Sequence, residues 1–453
     1  VPCHDNLDES RLRRPSPRLP RRITIISARV GAGHDGAAAE LALRLGAAGF
    51  AVDRRDFLDL LPAGLGRVLA ATYRRMLTWA PAGYQRLYTS AEHTARPGPL
   101  LRVLFRSARR RTLRAIPSGT VAVVSTYPGA SHVLGGLRSA GRLDIPAITY
   151  LTDFSVHPLW VARGIDAHLA AHPVPAAQAR ARGAVRVTVA GPVTGERFTP
   201  VDEAERSAAR AAFGLPAGQA LALLVAGSWG VGAVRRSAAE ILACGAAVPV
   251  VVCGRNETLA DELRADGFAY VRGWEADMPG LMRACDVLVQ NAGGLTSLEA
   301  FASGLPVVSF RCIPGHGQTN AAALDEAGLA VWVRDPAALG GVLASLVAGP
   351  LGERRRAAGL ALFGSGPGAA EVIAAAVDER TVRPTPVVRP GRPDRPGRPD
   401  RPDRPVRRGA RTAAVGLAAT LAFGIAAPLA HADDMFPSRL ATAAHHLFER
   451  YEL

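Results

Sequence analysis

The sequence predicts an α/β chain of two domains, each built on an open parallel sheet. Three observations carry that reading. Short apolar runs recur, and each gives way to a glycine-bearing loop and then to apolar residues at helical spacing, as where residues 23–27 lead through Gly31 and Gly33 to Ala38, Leu41, Ala42 and Leu45. The chain has 453 residues and 48% apolar content, more than one ordinary core takes up. The loops that carry chemically capable side chains open at the carboxyl ends of the apolar runs, where open α/β sheets bind their ligands.

Taken in order, residues 1–22 are polar and rich in Pro and Arg, a loose basic tail without the apolar stretch of a signal peptide. A first domain is expected over 23–198. In its opening R-V-G-A-G-H-D-G loop, His34 stands at the entrance of a helix. A helix N-terminus disfavours imidazolium, so the ring would be neutral and able to accept a proton; a capping or core histidine is the plainer alternative. Between Arg67 and Arg114 eleven arginines stand against one acid, Glu92, interleaved with Tyr73, Trp79, Tyr84, Tyr88 and Phe105. Leu101, Leu104 and Phe105 alternate with arginines there, a basic amphipathic pattern that suits an anionic bilayer, with Arg74, Arg75, Trp79 and Tyr84 at headgroup depth. Nucleic acid and a solvated helix face are rival readings of the same stretch. An apolar run over 121–124 and another over 146–151 follow. The second opens into T-D-F-S-V-H-P-L-W, which gathers Asp153, His157 and Trp160 in one loop but supplies no third ligand for a metal.

A linker with a short Glu/Arg/Ala helix is expected over 199–217, and a second domain over 217–348. The run 221–226 ends in G-S-W-G-V-G, where Gly227, Ser228 and Gly230 could present backbone amides to a diphosphate. The run 250–253 ends in G-R-N, which places Asn256 on the same side. Residues 287–289 lead into Gly293-Gly294, after which Thr296 or Ser297 is expected to cap a helix that stops at Gly304. Glycines let backbone amides approach an anion and the helix end favours negative charge. Glu299 inside that helix could accept both hydroxyls of a ribose. The stretch as a whole reads as a nucleoside-diphosphate site.

Helices over 349–380 are expected to return to the first domain. From 381 to 411 the chain is a disordered, Pro/Arg-rich spacer, with Pro at every third position over 389–405 favouring an extended polyproline conformation. Residues 412–430 carry no charge and span about 28 Å as a helix, close to the roughly 30 Å of a bilayer core. With Arg407, Arg408 and Arg411 before it and Asp433 and Asp434 after it, the segment 412–432 reads as a single anchor with the arginines inside, or, given A-H-A at 430–432, as a signal-like segment fused from a neighbouring reading frame.

The net charge of +15 sits in three patches, +10 over 67–114, +7 over 383–411 and +3 over the first 22 residues, leaving an ordinary balance elsewhere. There is no lysine, so all 54 basic residues are arginine. The five cysteines, Cys3, Cys244, Cys253, Cys285 and Cys312, show no metal-ligand spacing and read as reduced thiols.

The motifs G-G-L-T-S-L-E-A at 293–300, G-L-P-V-V at 304–308 and P-G-x-x-x-x-N-A at 314–321 resemble the donor site of MurG-type glycosyltransferases. Within that group the T-D-F…H-P-x-W run and the G-x-G-H entrance are most similar to monogalactosyldiacylglycerol synthases and bacterial processive diacylglycerol glycosyltransferases. The resemblance covers about residues 22–339, and departs from the family where Asn291-Ala292 replaces its usual Lys-Pro or Lys-Ala. It implies a GT-B fold, a UDP-sugar donor and a lipid acceptor such as diacylglycerol, at the cytoplasmic face of the plasma membrane. On the acceptor side it implies His34 as the base, with Asp153 and His157, beside Gly33 and Trp160. On the donor side it implies uracil at Trp274, ribose on Glu299, and Gln318 and Asn320 near the sugar. No D-x-D run offers a metal site, so no cofactor, no metal and no nucleic-acid partner are expected, and transfer of a hexose with inversion. A soluble glycosyltransferase acting on a secondary metabolite, a non-hydrolysing UDP-sugar epimerase and a non-catalytic nucleotide-sugar-binding protein are the alternatives.

Overall fold

The computed structural model describes residues 20–92, 97–364 and 366–382. Most of the N-terminal tail, the Pro/Arg spacer from 383 and the segment 412–432 lie outside the described residues, as do the side chains of Arg74 and Trp79.

Two six-stranded sheets, parallel throughout, make the frame. The first contains β1 (Arg22–Ser27), β2 (Ala51–Asp56), β3 (Thr120–Ser125), β4 (Ala147–Tyr150), β5 (Ala167–Ala170) and β6 (Val187–Val189), in the order β2-β1-β3-β4-β5-β6. The second contains β7 (Leu221–Val225), β8 (Val248–Val252), β9 (Val271–Arg272), β10 (Val287–Gln290), β11 (Val307–Phe310) and β12 (Ala330–Val333), in the order β12-β11-β10-β7-β8-β9. Central strands are apolar on both faces because helices cover both, which is why Ile23, Ile25, Val124, Leu223, Val250 and Leu288 are almost wholly buried. The runs that spell out as strands are these central ones. The edge strand β2 reads A-V-D-R-R-D, with Asp53 paired to Arg22 and Arg55, and carries no apolar signal. β5, β9 and β12 have four residues or fewer and escape periodicity for want of length.

Each sheet reverses its strand order once, between β1 and β3 in the first and between β7 and β10 in the second. Loops diverge at such points and leave a crevice at the carboxyl ends of the strands. The loop after β1 leads into the helix whose first turn holds His34, and the loop after β3 carries Tyr127; those after β7 and β10 carry Gly227 and Gly293.

The helix Ala32–Ala47 follows β1 and meets the helix Leu295–Ala302 of the second domain; a Cβ on Gly36 would lie 2.6 Å from Leu295 Cδ2. Leu295–Ala302 starts earlier than the capping residues imply. Gly294 is its N-cap, with no side-chain cap, and Thr296 and Ser297 lie within its first turn. The linker helix Glu203–Ala212 opens on a capping box between Asp202 and Glu205, and its Arg210 is buried against Asp286 at 2.7 Å.

Three helices, Leu65–Trp79, Pro81–Glu92 and Pro99–Ala115, fill the segment between β2 and β3. Helical spacing turns Leu101, Leu104, Phe105, Ala108 and Thr112 into the core and leaves Arg102, Val103, Arg106, Arg110 and Arg114 exposed. Of the aromatics expected in the headgroup layer, Tyr84 is inside, 7% exposed and facing the second domain, while Arg67, Val68 and Arg75 stay outside.

The stretch Pro350–Glu379 is long and apolar enough to cross a membrane by length and composition. In the fold it is two helices, Pro350–Gly364 and Ala369–Val382, of which Leu362, Ala369, Ala370, Ile373 and Val377 are core while Leu360 and Phe363 are exposed. Gly359 packs against Phe301 of the second domain, whereas Ala369, Ala370, Ile373 and Val377 join Leu41 and Leu45 of the first.

Candidate functional site

The carboxyl ends of the two sheets face one another across a cleft of about 580 Å³ whose walls come from both domains. Its two halves differ in chemistry.

The second-domain half is mostly backbone. Gly227, with φ of 66°, and Ser228 line it after β7; Ala292, Gly293, Gly294 and Thr296 line it after β10. A Cβ on Gly227 or Gly294 would meet nothing within 4 Å, so both face open space. Gly293 is fixed differently: its φ is 69°, a Cβ there would come within 2.7 Å of Asn320 Cβ, and its amide donates to Gln290 Oε1, as does that of Ala292. At the start of the helix Leu295–Ala302, Leu295 and Thr296 line the cleft and the N-cap Gly294 offers no side-chain cap, while the Ser297 amide donates to Gly294 O at 3.0 Å. One turn further along, Glu299 lines the cleft with no hydrogen bond or ion pair to its carboxyl among the described residues, and burial raises its pKa to about 7. At the mouth Trp274 is 52% exposed, with the Arg255 guanidinium 4.3 Å over its ring and 5.7 Å from that of Trp229.

The first-domain half is mostly apolar side chain. Phe57, Leu69, Tyr73, Leu77, Leu101, Phe105 and Tyr127 surround a chamber under the three inserted helices. Between the halves sits His34, in the first turn of Ala32–Ala47 beside Gly33. Its Nδ1 is 2.7 Å from Thr152 Oγ1, its ring meets Tyr127 edge-on at 5.4 Å, and Trp160 lies at 5.9 Å. Burial lowers its pKa, opposed by the negative charge of Asp153. In the tautomer whose Nδ1 donates to Thr152, Nε2 carries the lone pair of the neutral ring and can accept a proton. Asp153 accepts from Trp160 Nε1 at 2.9 Å, so it locks an indole that is itself 1% exposed and forms the chamber floor. His157 lines the cleft, but its Nδ1 accepts from the Leu159 amide at 3.2 Å and starts a 3-10 turn, and burial lowers its pKa to about 4. It is a neutral capping residue whose ring lies 4.6 Å from that of Tyr88, tilted by 46°.

Several expected donor residues are engaged elsewhere. Asn256 caps the helix Glu257–Ala265 through the Leu259 amide and donates to Gly230 O at 3.4 Å; it does not line the cleft. Gly230 is buried, and a Cβ there would come within 2.6 Å of Cys253 O, so it serves the turn and does not offer its amide to a ligand. Ser297 points into the second-domain core, its Oγ buried without a partner. Gln318 is not among the lining residues. Asn320 is fully buried and joins the domains, accepting from the Ser155 amide at 2.8 Å and Oγ at 2.9 Å and donating to Ala292 O at 3.0 Å. Its carbonyl and one amide N–H are taken by protein, so it positions the Gly293 loop while lining the cleft beside His316. The sequence reading in turn passed over Thr152, Trp229, Arg255, Gln290 and His316, all of which line the cleft or act on residues that do. Thr152, Trp229, Arg255 and His316 each stand inside a motif quoted above; Gln290, at the end of β10, carried no such signal.

Residues 47–193 match the family model for monogalactosyldiacylglycerol synthase, and residues 224–348 that for glycosyl transferases group 1. A processive diacylglycerol beta-glucosyltransferase of Bacillus mycoides is 26% identical over 242 residues, covering 51% of this chain and 60% of that one. Its Bacillus pumilus counterpart is 29% identical over 223 residues, covering 46% and 56%. The chain thus spans little more than half the length of these curated relatives. Among solved structures, Os79 from O. sativa, in complex with U2F and trichothecene, superposes with a TM-score of 0.52 at 12% identity over 79% of this chain and 99% of that one. HepE of Anabaena in complex with UDP-glucose gives 0.50 at 13% identity, over 80% and 99%. The two facing parallel-sheet domains are the GT-B arrangement, and the motif resemblance extends over both of them.

Proposed function

From a chain with the GT-B fold, a first domain like that of monogalactosyldiacylglycerol synthases and a second like that of group 1 glycosyl transferases, we propose a glycosyltransferase that moves a hexose from UDP to a lipid hydroxyl. One observation carries this reading. A single cleft joins a backbone-lined half, with an unpartnered buried carboxyl, to an apolar chamber, and His34 stands at the junction.

In this reading the uracil packs at Trp274, the ribose hydroxyls bond to Glu299, and the diphosphate lies against the Gly227–Ser228 loop and the amides opening Leu295–Ala302. The lipid hydroxyl enters from the chamber and gives its proton to His34 Nε2 as its oxygen attacks the anomeric carbon. The bond from that carbon to the diphosphate breaks on the opposite face, which inverts the configuration. UDP leaves with the bonding pair, its charge met by the helix-end amides. Thr152 orients the His34 ring through Nδ1, and the Asp153 carboxylate favours the imidazolium that forms. The exposed arginines of Pro99–Ala115 would hold the chamber mouth at an anionic membrane surface, on its cytoplasmic side.

The test is release of UDP from UDP-glucose, UDP-galactose and UDP-N-acetylglucosamine, with and without diacylglycerol liposomes. Lipid-dependent release from one donor, lost in Glu299→Ala, is the expected result; release that ignores lipid points to a soluble acceptor or to hydrolysis. Helix ends do the neutralising here, so activity should persist in EDTA. Complete loss restored by manganese would overturn that part of the mechanism.

A further inference from the structure

Tyr127 has no part in the mechanism above, yet it lines the cleft beside His34. It ends the loop after β3 at the N-cap of the helix Pro128–Ser139, where its side chain makes no cap and turns into the cleft instead. Ser125 holds its backbone, with Oγ accepting from the Tyr127 amide at 3.2 Å and donating to the Tyr127 carbonyl at 2.8 Å. The ring lies 5.4 Å from that of Phe57 and meets His34 edge-on at 5.4 Å, and a Cβ on Gly129 would stand 2.8 Å from Tyr127 Cε1. Packing thus presets the hydroxyl. Every other polar side chain on the first-domain half of the cleft has a protein partner. Thr152 holds His34, Trp160 holds Asp153, and His157 caps its own turn. Tyr73 is bonded to Tyr84, Tyr84 to His316 and Tyr88 to Thr319. The Tyr127 hydroxyl has no hydrogen bond among the described residues, and protein does not seal it off as it seals Nε2 of His157. Burial and the negative charge of Asp56 push its pKa up to about 12, so it stays protonated and able to donate.

We propose that Tyr127 is an acceptor-binding residue whose hydroxyl donates to the carbonyl oxygen of an acyl ester beside the hydroxyl attacked at His34, so that the site selects an ester-bearing glycerolipid over an ether-linked one. The inference rests on the acceptor reading above. A donor left unpaired in an apolar chamber is costly, so an occupant that brings an oxygen to it binds better than one that does not. The surrounding Phe57, Leu69, Leu101 and Phe105 take up hydrocarbon and offer that oxygen no competing group. The oxygen therefore belongs to a molecule that is otherwise apolar and that carries it close to the hydroxyl at His34. An acyl ester on the carbon next to the hydroxyl-bearing one meets both conditions. An ether oxygen in the same place is a weaker acceptor and lacks the projecting carbonyl.

The experiment follows UDP release by the full chain in phosphatidylcholine vesicles carrying either dioleoylglycerol or the matching dialkyl ether of glycerol at varied mole fraction, with the UDP-sugar that wild type uses. Tyr127→Phe keeps the ring and its contacts with His34 and Phe57 and removes only the hydroxyl. Its KM for the diester should rise about fivefold, the loss of one neutral hydrogen bond, with a smaller change in kcat and UDP affinity within twofold. For the diether its KM should match that of wild type, read as Ki against the diester where the ether is not glycosylated. Thermal unfolding should be no lower than in wild type, because the hydroxyl has no protein partner to lose. An unchanged KM for the diester, or an equal rise for both lipids, would overturn the inference and leave the acceptor reading standing. Failure of wild type to glycosylate either lipid, while UDP still binds, would remove the acceptor reading and this inference with it.

Discussion

The two halves of the cleft are built by opposite means. The second-domain half offers backbone: glycines at the ends of β7 and β10, a helix start, and one buried carboxyl. The first-domain half offers side chains: a shell of Phe, Leu and Tyr contributed by three helices inserted between β2 and β3. Backbone sites need particular residues at particular spacings, because glycine adopts without strain the positive φ that Gly227 and Gly293 show. An apolar shell tolerates many sequences of similar volume. A backbone site works by geometry and an apolar shell by area, and a sequence displays the first far more openly than the second.

The sharpest way to break this contrast is at the junction. His34→Ala should lower kcat by about 10²–10⁴-fold while UDP affinity stays within twofold, measured as turnover beside calorimetry. Parallel loss of both would mean that His34 belongs to the donor half. Next comes Glu299. If its ionised carboxylate holds the ribose, UDP affinity should rise with pH through about 7, and Glu299→Gln should flatten that profile and cost about 10–100-fold at pH 8. The stability sign is the reverse. A carboxyl whose folded pKa is raised loses stability as pH climbs from its unfolded value toward about 7, so Glu299→Gln should melt higher than wild type at pH 8 and alike at pH 4. Gly293→Ala tests the backbone half directly; with φ of 69° and Asn320 Cβ in the way, it should destabilise by about 1–3 kcal/mol in denaturant unfolding. A neutral result would show that the loop can relax. The smallest effect is expected outside the cleft. Arg102→Glu with Arg106→Glu should weaken flotation with anionic liposomes by roughly fivefold or more per residue, at about 1 kcal/mol each, with UDP affinity unchanged.

The same contrast decides what could be read beforehand. The order of strands and loops around β7, β10 and β11 was legible because buried parallel strands spell out as apolar runs and their loops as glycines. Glu299 and His34 were legible as chemistry placed on those loops. β2 was not, because a polar edge strand has no hydrophobic face to announce it. Asn320 and Asn256 looked like ligand contacts, yet each amide found a protein partner, one across the domain boundary and one at a helix start. Polarity beside a glycine loop marks a group that must be satisfied and does not say by what. Tyr84 and its neighbours were assigned to a membrane face because their arginines were counted with them; the 3.6-residue period sends the two in opposite directions. Interdomain contacts such as Tyr84 with His316, 232 positions apart, leave no local pattern.

The central claim is that one cleft brings a UDP-sugar and a lipid hydroxyl together at His34. It is tested most directly by incubating the protein with radiolabelled UDP-glucose or UDP-galactose and diacylglycerol vesicles, then partitioning into organic solvent. Label entering the lipid phase with wild type, and not with His34→Ala, is the result this account predicts. Label that stays in the aqueous phase with both donors, while UDP binds and is released, would contradict it.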